Sequence, residues 1–124
     1  MPRTTAEKLQ IKPDSVVHIL GGSPEKQQLL HPLPTGVQVQ EGVGEGAEVA
    51  VIFAEDRSTL DTLLDQALAS LTQARATWIG YPKGNRADIN RDSIWARVEE
   101  LGWTATANVS LDEVWSAVRI KPVD

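Results

Sequence analysis

Cysteine is absent from the 124 residues, so the chain has no disulfide, no thiolate metal site and no cysteine nucleophile. A chain without cysteine suits a reducing compartment, and a cytoplasmic location is the expectation. Histidine occurs only twice, at His18 and His31, and neither stands at metal-ligand spacing from other ligating residues. Rings are scarce as well: one phenylalanine, one tyrosine and four tryptophans, so each tryptophan carries a large share of the ring packing. No apolar run approaches the length of a membrane span. The first residues lack the apolar stretch of a signal peptide. No serine stands in a nucleophile elbow, and spacing yields no Ser-His-acid set. Internal repeats and low-complexity tracts are also missing.

Positive charge is in deficit, with 12 basic against 17 acidic side chains and a net charge of -5. That balance weighs against general nucleic-acid or anionic-membrane binding, while a local basic loop can still hold one phosphate. The length fits one domain with one core, spanning residues 1–124.

What is present is periodic. Residues 6–9 suggest a short leading helix, ended by a turn at residues 12–14. Residues 15–20, Ser-Val-Val-His-Ile-Leu, are β-branched and mostly apolar, stop at Gly21-Gly22, and read as strand one. Ser23-Pro24 matches an N-cap with proline at the first helical position. A short helix over residues 25–30 would follow, halted by Pro32 and Pro34. Residues 36–40 alternate at period two as strand two, and an acidic glycine loop covers residues 41–46. Residues 48–54 are nearly continuous in apolar character, the pattern of a strand buried on both faces.

Leu60, Leu63, Leu64, Ala67, Leu68 and Leu71 recur on one face of an α-helix. Ser58 and Asp61 occupy the positions of a capping box. Residues 76–81 form strand four. Asn90 stands as N-cap of a second long helix running to Leu101, with Ile89 and Ile94 at the positions of a hydrophobic staple and Gly102 as a left-handed stop. Residues 103–109 and 114–120 alternate around residues 110–113 as an antiparallel hairpin. The order β-α-β-β-α-β-α-β-β predicts a single α/β domain with a mostly parallel sheet covered on both faces. Right-handed crossovers place the strands 2-1-3-4, with the last strand of the hairpin inserted beside strand four. The reversal between strands one and three opens a crevice at the carboxyl edge.

That crevice gathers the candidate ligand residues. Gly21, Gly22 and Ser23 follow strand one, Glu41 follows strand two, Glu55 follows strand three, and Lys83 and Arg86 lie in the charged loop after strand four. The glycine turn offers backbone N–H groups, and the two cations suit a phosphate or carboxylate. Glu41 suits a ribose hydroxyl, so a small anionic or nucleotide-like ligand is the best match. Plainer readings stand beside these. Ser23 as N-cap already spends a donor, and Lys83 and Arg86 can pair with Asp88 and Asp92. The helix dipole favours Asp92 in a first turn and disfavours Arg91 there. His18 reads as a satisfied core or edge histidine. Trp78 and Trp95 read as core, and Trp115 as a flank of the crevice or of a subunit contact. Glu41, Glu45 and Glu48 otherwise read as a solvated linker. No catalytic residue and no metal ligand is assigned.

The closing hairpin resembles that of the class I methyltransferase-like Rossmann fold. From Glu48 onward the chain looks like the back half of that fold, and the front half looks shortened. More narrowly, Thr5-Ala-Glu-Lys-Leu9, Tyr81-Pro-Lys-Gly84, Asp88 with Arg91-Asp92, and Asp112 with Trp115-Ser-Ala-Val-Arg119 carry a similarity to an uncharacterised bacterial family of small domains of unknown function. The resemblance implies a methyltransferase-like fold, with S-adenosylmethionine or a nucleotide as the cofactor class and Glu41 at the ribose position. The chain departs from working enzymes of the fold in two places. Gly21-Gly22-Ser23-Pro24 lacks the spaced glycine triple, and Glu55-Asp56 stand where an Asn/Asp-Pro-Pro-aromatic motif would be. The expectation is a non-catalytic small domain acting through ligand binding or protein contact. The alternative is a degenerate S-adenosylmethionine-dependent methyltransferase-like enzyme or a nucleotide-binding domain. A short edge strand two also allows a symmetric homodimer.

Overall fold

The computed structural model describes residues 9, 11–21, 33–41, 48–67, 71, 74, 76–82, 89–111 and 114–123. A six-stranded sheet runs through them in the order β2-β1-β3-β4-β6-β5. Strands β1 (Val16–Leu20), β2 (Gln38–Glu41), β3 (Val49–Phe53) and β4 (Ala76–Pro82) are parallel. Strand β6 (Trp115–Pro122) lies antiparallel to β4, and β5 (Trp103–Ser110) closes the far edge antiparallel to β6. This is the expected order, including the insertion of the last strand beside β4. Helix α1 (Arg57–Ala67) follows β3 and helix α2 (Arg91–Glu100) follows β4. The expected helices over residues 6–9 and 25–30 lie outside the described residues.

Side chains alternate across a strand, so the strands feed two cores, one on each face. On one face Ala50, Ile52, Ile79, Val118 and Ile120 meet Leu60 and Leu64 of α1 and Ile94 and Val98 of α2. On the other, Val17, Ile19, Val49, Val51, Phe53 and Trp78 pack with Leu9, Ile11 and Leu111. Every residue of β3 is buried, which is why its sequence is continuously apolar rather than alternating.

Helix α2 begins as the sequence predicts. The Ser93 backbone N–H donates to Asn90 Oδ1 at 2.8 Å, and the Asn90 N–H donates to Ser93 Oγ at 2.9 Å, a reciprocal capping box. Ile89 and Ile94 are both fully buried in one core, and Gly102 takes the left-handed conformation at φ 85°. Helix α1 differs from expectation. Its cap is Asp56, whose carboxylate accepts from the Thr59 N–H at 2.7 Å, and not Ser58. An ionised carboxylate at that position gains from the helix dipole as well as from the hydrogen bond. Trp95 is a second correction. Ile94 and Val98 take the sheet-facing side of α2, and the residue after Ile94 turns about 100° away from it. Trp95 is therefore 41% exposed, with its indole N–H donating to Glu99 Oε2 at 2.9 Å.

The front of the sheet is short. Only residues 42–48 join β2 to β3, fewer than the dozen or so that a helical crossover needs. β2 is the outermost strand, with Gln38, Val39 and Gln40 exposed.

Candidate functional site

The four parallel strands end on one side of the sheet, and the register shows what meets there. Glu41 lies opposite Ile19, Leu20 opposite Ile52, Phe53 opposite Gly80, and Pro82 opposite Trp115. Gly21, Glu41 and Glu55 thus come to one carboxyl edge, as expected from the switch point between β1 and β3. Gly22, Ser23, Lys83 and Arg86 lie outside the described residues, as do Glu45, Asp88 and His31.

Gly21 is the tightest point of this edge. Its φ is 70°, and a Cβ there would collide with the Phe53 carbonyl oxygen and lie 2.9 Å from Leu63 Cδ1. The backbone leaving β1 is pressed against the end of β3 and the first turns of α1. Only glycine satisfies both the conformation and the space. Of the two acids after β3, Asp56 is committed to α1. The backbone N–H of Thr59, and then its hydroxyl, hold the Asp56 carboxyl below the usual range. Glu55 remains exposed at the edge. Trp115 begins β6 on the same edge, half-buried, with its ring edge-on to Phe53 at 5.6 Å and 84°.

A polar group the sequence reading did not assemble sits at the end of β4. Tyr81 is buried, and its hydroxyl donates to Asn108 Oδ1 on β5 at 3.0 Å, reaching past β6. Burial pushes the Tyr81 phenol up, while the Ser116 hydroxyl and the charge of Arg91 pull it back. No sequence sign pointed to this cluster: residues 103–109 alternate without a break, yet the register skips between Ala105 and Ala107.

Between the two helices runs a groove of about 300 Å³, lined by Arg57, Leu60, Asp61, Ser93, Ala96, Arg97 and Glu100. Arg97 spans it, donating through Nε to Asp61 Oδ1 at 2.8 Å and through Nη1 to Glu100 Oε2 at 3.0 Å. Those two carboxylates raise its already high pKa. Its chemistry is that of a brace between α1 and α2. Arg91, disfavoured by the dipole of α2, lies 3.7 Å from Asp92.

His18 departs from its expected role. It is 2% exposed on β1, and among the described residues neither ring nitrogen has a hydrogen-bond partner. Among the described residues no group of three or more His, Asp or Glu could hold a metal ion. None of the described helices is long and apolar enough to cross a membrane.

No family model matches the chain, and no curated protein matches it in sequence. Solved structures do match its fold. A protein of the NADB-Rossmann superfamily from Streptococcus agalactiae superposes with a TM-score of 0.62 at 9% identity, over 99% of this chain and 69% of that one. A putative tRNA (m1A22) methyltransferase from Streptococcus pneumoniae, in complex with S-adenosyl-L-methionine, gives 0.60 at 12% identity, over 100% and 74%. The ribosomal protein L11 methylase from Lactobacillus delbrueckii gives 0.57 at 13% identity, over 97% and 76%. At these identities the likeness is one of fold, and it agrees with the strand order and the closing hairpin: the chain has the methyltransferase-like Rossmann fold.

Proposed function

We propose that this chain is a small-ligand-binding domain whose carboxyl edge takes an adenosine-type ligand of the S-adenosylmethionine class, and that it binds without group transfer. The observation that carries the reading is Gly21. It brings bare backbone to the end of β1 beside β3, with Glu41 at the end of the neighbouring β2. A backbone turn next to an acidic residue suits a ribose and what is attached to it. Gly22 and Ser23 continue that turn in sequence, Glu55 forms the rim, and Lys83 and Arg86 supply the charge for an anionic group. The absence of transfer rests on chemistry. Asp56 is spent on capping α1, and the chain has no Asn/Asp-Pro-Pro-aromatic motif after β3.

Calorimetry with S-adenosylmethionine and S-adenosylhomocysteine tests this. The expected result is saturable binding of one or both, with bound S-adenosylmethionine remaining chemically intact. At about 100-fold its dissociation constant the ligand adds roughly 2.7 kcal/mol of stability, visible as a melting shift. Glu41→Ala should weaken binding about tenfold, the loss of one or two hydrogen bonds to the ligand. A Lys83→Ala, Arg86→Ala double variant reports whether the ligand's anionic part reaches that loop. No heat and no melting shift with either compound overturns the proposal.

A second reading has its own observation. β2 is an exposed outer strand carrying Val39 at 37% exposure, a place where a second copy can pair in a symmetric dimer. Sedimentation at micromolar concentration decides it, and a monomer mass removes it.

A further inference from the structure

The backbone of β2 faces two ways in the plane of the sheet, and its hydrogen bonds show which residues face which way. The Gln38 N–H donates to the Ser15 carbonyl at 3.0 Å, so Gln38 turns its backbone toward β1. Successive residues of a strand alternate in this respect, and the parallel register runs on without a break from Val16–Gln38 to Ile19–Glu41. Gln40 therefore also faces β1, while the N–H and C=O of Val39 and of Glu41 point away from the sheet. β2 is the outermost strand among the described residues, so no described strand meets these groups.

Edge strands ordinarily carry a guard against pairing, such as a proline, a lysine, a bulge or a covering element. Gln38-Val39-Gln40 has none of these. Its register with β1 is regular, its sequence holds neither proline nor charge, and all three residues are exposed. The two glutamines stand on one face and Val39 on the other. The chain as a whole carries a net charge of -5, so two copies repel one another in most orientations. This neutral strand is where they meet with least repulsion. Because β2 is short, the register decides how many bonds a pairing makes.

The possible two-folds differ in that respect. One centred on Gln38 or Val39 draws in Val37, whose N–H is already taken by the Pro34 carbonyl at 3.4 Å. One centred on Glu41 sets that acid against itself. Centred on Gln40, Val39 of each copy lies opposite Glu41 of the other, and each such pair exchanges both of its backbone hydrogen bonds. Gln40 then faces itself, and an amide can both donate and accept there. We propose that β2 binds a second copy of this chain, antiparallel and centred on Gln40, joining two six-stranded sheets into one. This rests on the strand-pairing reading above and deepens it by fixing the register.

The chain has no cysteine, so single-cysteine variants report that register directly. In the proposed pair the two Gln40 positions oppose each other without mutual hydrogen bonds, about 4.5 Å apart at Cα and within disulfide reach. The two Val39 positions are diagonal, about 7–8 Å apart and beyond it. Gln40→Cys, oxidised with diamide, should give a covalent dimer, and Val39→Cys and Gln38→Cys should give little. Wild type should sediment as a concentration-dependent dimer from micromolar concentration upward. Val39→Pro removes an outward N–H and none of the bonds to β1, so it should sediment as a monomer that still melts cooperatively. Gln40→Lys leaves the backbone intact, sets like charges opposite one another, and should weaken the dimer about tenfold, with added salt restoring part of the loss. A wild-type monomer mass overturns this proposal together with the strand-pairing reading, and an edge that takes only some other extended chain gives that same result. A dimer that cross-links through Val39→Cys in preference to Gln40→Cys overturns the register alone. A dimer that neither Val39→Pro nor Gln40→Lys weakens forms through another surface, and overturns the pairing of β2 while self-association stands. Every measurement is made without S-adenosylmethionine, so the outcome is independent of the carboxyl-edge ligand.

Discussion

Trp78 and His18 are both buried ring side chains on central strands, and the molecule treats them differently. Trp78, on β4, donates its indole N–H to the Leu9 carbonyl at 3.0 Å. His18, on β1, has no partner for either nitrogen among the described residues. The same contrast runs through the strands around them. β4, β5 and β6 are seven or eight residues long, with a capped helix and a paired hairpin, whereas β2 has four residues and an exposed outer edge. The back of the sheet is built for stability. Among the described residues the front keeps a buried histidine without a hydrogen-bond partner and an outermost strand with exposed residues, which stability alone would not select. The proposed adenosyl edge and the proposed strand pairing both involve this shorter front part of the sheet.

The sharpest way to break this division is at Gly21, where front and back touch. Gly21→Val forces a β-branched residue into a left-handed conformation and against the Phe53 carbonyl. The expected loss is about 3 kcal/mol or more in urea unfolding. Gly102→Ala is the control: φ is 85° there too, but a Cβ meets nothing within 4 Å. Its cost should stay near the conformational penalty alone, about 1 kcal/mol. Equal losses at the two sites would mean that the contact between β1 and β3 carries no stability.

Removing the cap of α2 probes the back half by itself. Asn90→Ala deletes the side-chain acceptor of the Ser93 N–H, leaving the backbone N–H at 90 to bond the Ser93 hydroxyl, and should cost about 1 kcal/mol, measured by the same unfolding curves. His18→Leu probes the front with the opposite sign. Taking away two ring nitrogens that have no partner among the described residues, at similar volume, should raise stability by about 1 kcal/mol. A clear loss instead would show that the imidazole holds a group in the native state, and the contrast with Trp78 would fail.

The smallest effect concerns acid. The folded-state pKa of Asp56 lies below its ordinary 3.8, chiefly because the Thr59 N–H bonds the charged form. Its contribution is present above that value and is lost as pH falls through the lowered folded pKa. Asp56→Asn keeps an N-cap but removes the charge, so its stability curve should be flatter than wild type below about pH 4. Chemical unfolding at a series of acid pH values checks this.

Periodicity along the chain was enough to determine the strand order, the antiparallel hairpin, the Asn90 cap and the Gly102 stop. Each depends on residues within a few positions of one another, or on the handedness of crossovers, which is the same in nearly all proteins. The carboxyl edge was legible for the same reason, since parallel strands end on one side of the sheet: Glu41 is the last residue of β2, and Gly21 and Glu55 follow β1 and β3 there. Four other features were decided only by tertiary structure. Trp95 reads as apolar in sequence, yet the sheet takes Ile94 and Val98 and leaves no room for a neighbour 100° away. Asp56 rather than Ser58 caps α1, because the exit of β3 decides where the helix can begin. His18 sits among apolar residues in both views, but only the packed sheet shows that it is buried without a hydrogen-bond partner among the described residues. Asn108 reaches Tyr81 because one bulged residue shifts the phase of β5, a displacement that depends on its partner strand and leaves almost no trace in its own sequence.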